Sequence, residues 1–304
     1  MAERDFRWEG AAQRRRYDYV VTGLHDRDRI REILRARIDY AAYAIGQLEP
    51  GLFQRTRWFW ARGDTGTGLV LHSRGGLGDA TFVMGDTDAV SAILSIHPGP
   101  THTYATCQPY HTDGLERVYR LANQQPMIRM AVRASAFQAI EGARVVALSG
   151  HDIRRVNALY GTEGGPSYYV PEHIDAGVYR GIVTDGRLVA VAGTHVVSRT
   201  EGVAVVGNVF THPQYRGRGY ATAVTSAVTA ALLGYCDYIV LTVDPKNAPA
   251  IRAYEKLGYT EVCKLVEATA ARRDPSGIGG TIRRLRAAIR GRKYDGSFVS
   301  LRAS

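Results

Sequence analysis

The sequence predicts an α/β protein with a mixed sheet, built in two halves of similar style. Its 304 residues, 45% of them apolar, suit two ordinary domains with real cores. Strand-like and helix-like stretches alternate along the chain, in the order helix, three strands, helix, strand, helix, strand in the first half. In the second half an apolar strand, Val203–Phe210, runs into a Gly/Arg turn, Arg216–Ala221, that opens a helix.

Taken in order, residues 1–25 are polar and Arg-rich (Arg14, Arg15, Arg16) and read as a lead-in arm. A helix follows with Asp26 or Asp28 as its N-cap; Ile30, Ile33, Leu34, Ile38, Ala41 and Ile45 share one face, and Gly46 ends it. Glycine-rich turns separate three strands, Thr56–Ala61, Gly68–Ser73 and Ala80–Met84. Asp86 or Thr87 can cap a helix over Ala89–Ile96. A strand (Thr101–Cys107), a helix (Thr112–Leu121) and a strand (Met127–Ala134) complete this half.

The second half opens with a strand at Arg144–Leu148 and a helix at His151–Leu159, then a Gly/Tyr-rich loop, Thr162–Tyr169, and a helix over Glu172–Val178. Tyr179–Thr184 and Arg187–Val197 form a hairpin about Asp185–Gly186, a strong turn signal. After Val203–Phe210 and the Gly/Arg turn come a buried helix, a strand (Tyr238–Val243), a short helix carrying Asn247 and Tyr254, and a last strand to about Glu267. The expected division is 1–138, 139–269 and a basic tail, 270–304, that starts at the break ARRDPSGIGG.

Charge sharpens this division. Residues 1–138 hold 18 basic and 15 acidic side chains, residues 139–269 hold 12 of each, and residues 270–304 hold 9 and 2. The net charge of +10 is therefore mostly a property of the tail. There Ile282, Leu285 and Ile289 line one side of a helix and Arg283, Arg284, Arg286 and Arg290 surround the other, while Phe298–Leu301 can add an edge strand. The tail is expected to dock its apolar stripe on its own domain, or on a partner subunit of a homodimer, rather than on nucleic acid or a membrane. The N-terminus MAERDFRWEG is charged and lacks an apolar leader segment, and Cys107, Cys236 and Cys263 have no metal-ligand spacing. The expectation is a reduced, cytoplasmic protein without a bound metal.

A strand feeding a glycine turn at a helix start is suited to holding phosphates. Glycine lets backbone approach closely, and free N–H groups at the helix start point outward. Arg216-Gly217-Arg218-Gly219-Tyr220-Ala221 fits R-x-x-G-x-A; it fits neither G-x-G-x-x-G nor the Lys-containing P-loop. This run, followed some 26 residues later by Asn247-Ala248-Pro249-Ala250-Ile251-Arg252-Ala253-Tyr254, resembles the GNAT acetyltransferase superfamily over residues 144–267. The first half looks like a degenerate copy, as in glycine N-acyltransferase-like and tandem-GNAT proteins.

The resemblance implies an acetyl-CoA-dependent N-acetyltransferase acting on an amine acceptor by direct attack in a ternary complex. It implies that N–H groups of Arg216, Gly217, Arg218, Gly219, Tyr220, Ala221 and Thr222 bind pyrophosphate. Val209, Phe210 and Thr211 would pair with pantetheine, Asn247 would bond it, and Tyr254 would protonate the leaving thiolate. Many relatives carry a Glu on the strand before the turn as the base; here that region reads Gly207-Asn208. His195, Glu201, Glu163 and His173 are the substitutes in view, and a substrate amine that enters neutral needs none of them. Tyr168 and Tyr169 are candidates for the acceptor wall. A non-catalytic acyl-CoA sensor is the alternative reading.

Overall fold

The alternation read from the sequence folds into two copies of one element order. The computed structural model describes residues 16–75, 78–140, 143–164, 169–274, 277–291 and 296–302. The first half comprises β1 (Arg16–Gly23), α1 (Arg27–Arg35), α2 (Ile38–Gly46), the single turn α3 (Pro50–Phe53), β2 (Thr56–Gly63), β3 (Gly66–Ser73), β4 (Ala80–Gly85), α4 (Thr87–Ile96), β5 (His102–Cys107), α5 (Thr112–Glu116) and β6 (Tyr119–Val132). The second comprises β7 (Val145–Leu148), α6 (Ile153–Tyr160), α7 (Pro171–Asp175), β8 (Tyr179–Thr184), β9 (Arg187–Ser198), β10 (Val203–Thr211), α8 (Tyr220–Leu233), β11 (Tyr238–Val243), α9 (Ala248–Glu255) and β12 (Thr260–Arg272). Leaving out α3, each half reads strand, two helices, three strands, helix, strand, helix, strand. The tail adds α10 (Ile278–Arg290) and β13 (Ser297–Arg302).

One mixed sheet of 13 strands carries everything, in the order β13-β1-β2-β3-β4-β5-β12-β6-β11-β10-β9-β8-β7. The parallel pairs are β4 with β5 and β10 with β11, with α4 and α8 as the crossovers that parallel neighbours require. The last strands of the two halves are exchanged. β12 lies against β5 of the first half, and β6 lies against β11 of the second. β12 and β6 pair with each other at the centre.

Helices cover both faces. Tyr40, Ala41 and Ile45 of α2 pack in one cluster with Val196, Val203, Val205, Val240 and Leu265, so a first-half helix covers second-half strands. Val224, Val228 and Leu232 of α8 cluster with Ala204, Val206, Ile239 and Leu241 on the opposite face. Across the halves, Glu201 is 4% exposed and receives Arg31 Nε at 2.9 Å, with Arg35 and Arg27 close by.

Several expectations are corrected. Residues 16–23 are a strand between β2 and β13, not part of an arm; Arg14 and Arg15 lie outside the described residues. The helix expected from Asp26 to Gly46 is two helices parted at Ala36–Arg37, with Asp26 Oδ1 capping the first. Gly46 is the last residue of the second, as expected, and it also allows close packing: a Cβ there would lie 2.7 Å from Val196. The helix expected to reach Leu121 stops at Glu116, because Tyr119–Ala122 pair with Thr269–Arg272 of the exchanged strand. That pairing also carries β12 past Glu267. In the tail, β13 pairs with β1 as an edge strand. The face of α10 that is buried carries Gly280 and Ala287, while Ile278, Ile282, Leu285 and Ile289 are exposed. Arg283 and Arg284 hold the helix down by donating to the carbonyls of Ser95 and Ile96 at the end of α4.

Candidate active site

The site grows from β10. It pairs with β11 only from Val203–Val206 to Tyr238–Leu241, while pairing to β9 continues to Thr211. Beyond Val206 the parallel ladder ends, and β11 runs on to Val243 against β6. Among the described residues, Gly207–Thr211 thus leave a backbone edge without a strand partner, the arrangement an extended ligand can join. A bulge falls inside this segment: Gly207 faces Gly193 and Phe210 faces Val191, so Asn208 and Val209 together face one residue. Asn208 has φ +55°, a left-handed conformation that Asn adopts more readily than most residues.

Three tyrosines hold that bulge. Tyr160 donates to the Asn208 carbonyl at 2.6 Å, Tyr169 donates to Asn208 Oδ1 at 2.9 Å, and Asn208 Nδ2 donates to the Tyr179 hydroxyl at 2.8 Å. Tyr160 and Tyr169 stack at 5.0 Å. The sequence reading missed this role of Asn208; its signal was an Asn beside Gly207 in an otherwise apolar strand. Tyr169 is buried here instead of lining open space, and Tyr168 lies outside the described residues.

After β10, His212 caps a short turn by accepting from Gln214 N at 3.3 Å. Gly217 (φ +76°) and Gly219 (φ +77°) then reverse the chain into α8. A Cβ on either would meet nothing within 4 Å, so conformation and not crowding calls for glycine. Gly219 is the N-cap of α8, and among the described residues no side chain caps it; the first intrahelical bond runs from Ala223 N to the Gly219 carbonyl. The N–H groups of Tyr220, Ala221 and Thr222 therefore have no helical acceptor, and they sit where the helix dipole is positive. The equivalent position of the first half is filled: Asp86 Oδ1 accepts from Asp88 N and Ala89 N at the start of α4. A carboxylate there takes the place an anion would use.

The other residues singled out divide into those near this cradle and those drawn away. Arg216 donates to the Thr211 carbonyl at 3.3 Å and pairs with Glu163. Arg218 stacks over Tyr215 at 5.0 Å. Asn247 is exposed and caps α9, its Oδ1 accepting from Ala250 N at 3.2 Å. Tyr254 belongs to the same hydrophobic cluster as Val209 of β10 and Tyr220 of α8, and α9 lies against α8. Phe210 points to the opposite face, 5.7 Å from Tyr160. Tyr254 is 7% exposed, and its burial pushes the phenol up to about 12, so the hydroxyl keeps its proton at neutral pH.

Residues 151–259 match the model of the Acetyltransferase (GNAT) family. They form a GNAT domain. No curated protein matches the chain. Among solved structures, the GCN5-related N-acetyltransferase of Kribbella flavida is 20% identical, with a TM-score of 0.52 over 77% of this chain and 95% of its own. A Drosophila protein is 11% identical, with a TM-score of 0.59 over 82% of this chain and 98% of its own. The shared fold thus extends beyond the GNAT domain into the first half. The family uses acetyl-CoA as co-substrate, and the open N–H groups of Tyr220–Thr222 fit its phosphates.

The GNAT domain separates the four substitutes for the strand base. Glu201 is sequestered among arginines at the interface with α1. Glu163 pairs with Arg216. His173 accepts the Val170 N–H at 3.3 Å at the start of α7. His195 alone reaches the open segment of β10. Val205 pairs with Val196 and Val206 with Thr194, so His195 is the extra residue of a bulge in β9. A Cβ at Gly207 would lie 2.0 Å from its Nε2. His195 is exposed as a residue, although protein packs closely around its side chain. That crowding, and then the Arg129 guanidinium, push its pKa down, leaving the imidazole neutral.

A cavity of about 540 Å³ lies elsewhere, between the first half and the tail, lined by residues including His25, Arg57, His97 and Arg284. Its lining does not include the open edge of β10 or the uncapped start of α8, the two features suited to an extended phosphate ligand. Among the described residues, no helix is long and apolar enough to cross a membrane.

Proposed function

We propose that this protein is an N-acetyltransferase that moves an acetyl group from acetyl-CoA to a primary amine by direct attack in a ternary complex. The observation that carries the reading is the unpartnered edge of β10 leading into the uncapped start of α8. N–H groups of Arg216–Thr222 bind the pyrophosphate, and Val209, Phe210 and Thr211 pair with the pantetheine arm as an added strand. Asn247 offers its Nδ2 to that arm while its Oδ1 caps α9.

Acetyl-CoA supplies the thioester. The acceptor nitrogen bonds to the acyl carbon as the carbon–sulfur bond breaks. His195 takes the amine's proton at Nε2, and Tyr254 gives its hydroxyl proton to the departing sulfur. An N–H of the β10 bulge, that of Val209 or Phe210, faces the acyl oxygen and supports its developing charge. Residues 139–269 act as the catalytic unit and residues 1–138 as a scaffold whose Asp86-capped helix leaves no second cofactor site. Residues 270–304 support the assembly, and their exposed apolar stripe suits a homodimer. The protein works in the cytoplasm without a metal.

The test is release of free CoA from acetyl-CoA across a panel of primary amines, beside calorimetric titration with CoA. Acceptor-dependent release supports the reading. Tight CoA binding with no release for any amine would favour a sensor.

A further inference from the structure

Arg129 stands on β6, the strand that the first half lends to the GNAT domain. It pairs with Thr242 of β11 on one side and Cys263 of β12 on the other. Side chains alternate across a strand, so Arg129 shares the α2 face with Ala131 and Met127, both of the α2 cluster. The cover by α2 thins at this point. Thr242, Cys263 and Met127 are half-buried, Gly207 is half-buried and His195 is exposed. Arg129 itself is 2% exposed.

Its guanidinium is unmatched. Nε and Nη1 are sealed from solvent and have no hydrogen-bond partner among the described residues, and no carboxylate there lies within ion-pair distance. Glu267, whose charge it feels at longer range, accepts from the Tyr104 hydroxyl at 2.8 Å. A guanidinium cannot shed its proton to escape this burial, and an unpaired buried charge is costly. Such a group is retained where a ligand completes it, and its planar fork matches a carboxylate.

We propose that Arg129 binds the carboxylate of the acceptor, so that the substrates are amines carrying a carboxylate, with amino acids as the class. This rests on the acyl-transfer reading above. The carboxylate anchors under the edge of α2, and the amine then lies toward His195 and the open segment of β10. The carboxylates nearest this wall are otherwise engaged or distant: Asp39 of α2 accepts from the Tyr238 hydroxyl, Glu267 accepts from Tyr104, and, among the described residues, neither they nor Glu261 lies within ion-pair distance of Arg129.

The experiment compares matched acceptors: glycine, L-alanine, L-phenylalanine and L-glutamate, each against its primary carboxamide. Turnover is read as CoA release, and binding by calorimetry on the CoA-loaded protein. The wild type is expected to favour at least one carboxylate over its amide by about 10- to 100-fold. Arg129→Gln is expected to abolish that preference while leaving CoA affinity unchanged, and Arg129→Lys to restore part of it. Arg129→Met is expected to raise Tm, since it removes an unpaired buried charge. Equal use of acid and amide by the wild type, equal losses on both in Arg129→Gln, or weakened CoA binding in that variant would overturn the proposal. So would a lowered Tm in Arg129→Met, which would mark Arg129 as a structural residue. A carboxylate that binds through Arg129 without any CoA release would uphold the anion site and sink the acyl-transfer reading instead.

Discussion

The imidazole of His195 occupies the space that a side chain at position 207 would need, since a Cβ on Gly207 would lie 2.0 Å from Nε2. The absent strand carboxylate and the bulged histidine are two sides of one arrangement. Gly207→Ala should therefore fold normally, because the ring of exposed His195 can swing away, yet lose about 10- to 100-fold in kcat through misplacement of the base. The acetyl-CoA Kd should be unchanged. A variant with full kcat would remove His195 from the reaction.

Replacing His195 with Gln should lower kcat by about 10²- to 10⁴-fold. The pH profile gives a second check. A base acts when neutral, and His195 is pushed below the ordinary histidine value by its crowded surroundings and by Arg129. It stays neutral until the pH falls through that lowered pKa, so kcat should hold steady well below about pH 6.5. An acid limb centred near the ordinary value would contradict this.

For Tyr254, burial raises the phenol to about 12, so the proton it gives to sulfur is present across the working range. Tyr254→Phe should cost about 10²-fold or more in kcat with little change in KM for acetyl-CoA. Unaltered turnover at every pH would rule the acid role out.

Gly219 enters α8 at φ +77°. Gly219→Ala forces a left-handed conformation on a residue with a Cβ, at about 1–2 kcal/mol. Because that strain falls on the phosphate turn, calorimetry should show weaker CoA binding along with a lower Tm.

Glu201 tests stability apart from chemistry. It is 4% exposed and joined to Arg31 through two carboxylate oxygens. Glu201→Gln should cost about 1–3 kcal/mol in denaturant unfolding, moderated because the arginines left behind reach water. CoA affinity should not move.

Much of this molecule was legible in the sequence because local rules governed it. The Asp185–Gly186 hairpin, the Asp86 cap, the Gly217 and Gly219 turn and the Asn247 cap each follow from residue chemistry within a few positions. What escaped was set by distant pairing. β1 carries Asp18 among its apolar residues and reads as an arm until β2 and β13 flank it. β6 starts at Tyr119, through a polar stretch, because its partner there comes from the far end of the second half. His195 could be listed as a base but not chosen, since the choice rests on a bulge. Arg129 gave no signal at all: an arginine in a strand is ordinary until no carboxylate among the described residues proves to lie within ion-pair distance of it.

The exchange of β6 and β12 places acceptor and cofactor recognition on different stretches of the chain. Arg129 is encoded in the first half, whereas the turn at Arg216–Thr222 belongs to the second. Grafting a relative's first half onto this GNAT domain should therefore change which amine is accepted while leaving the acyl donor alone. Separating the halves, by contrast, should yield two insoluble fragments, each with an open strand edge at the place its borrowed strand now closes.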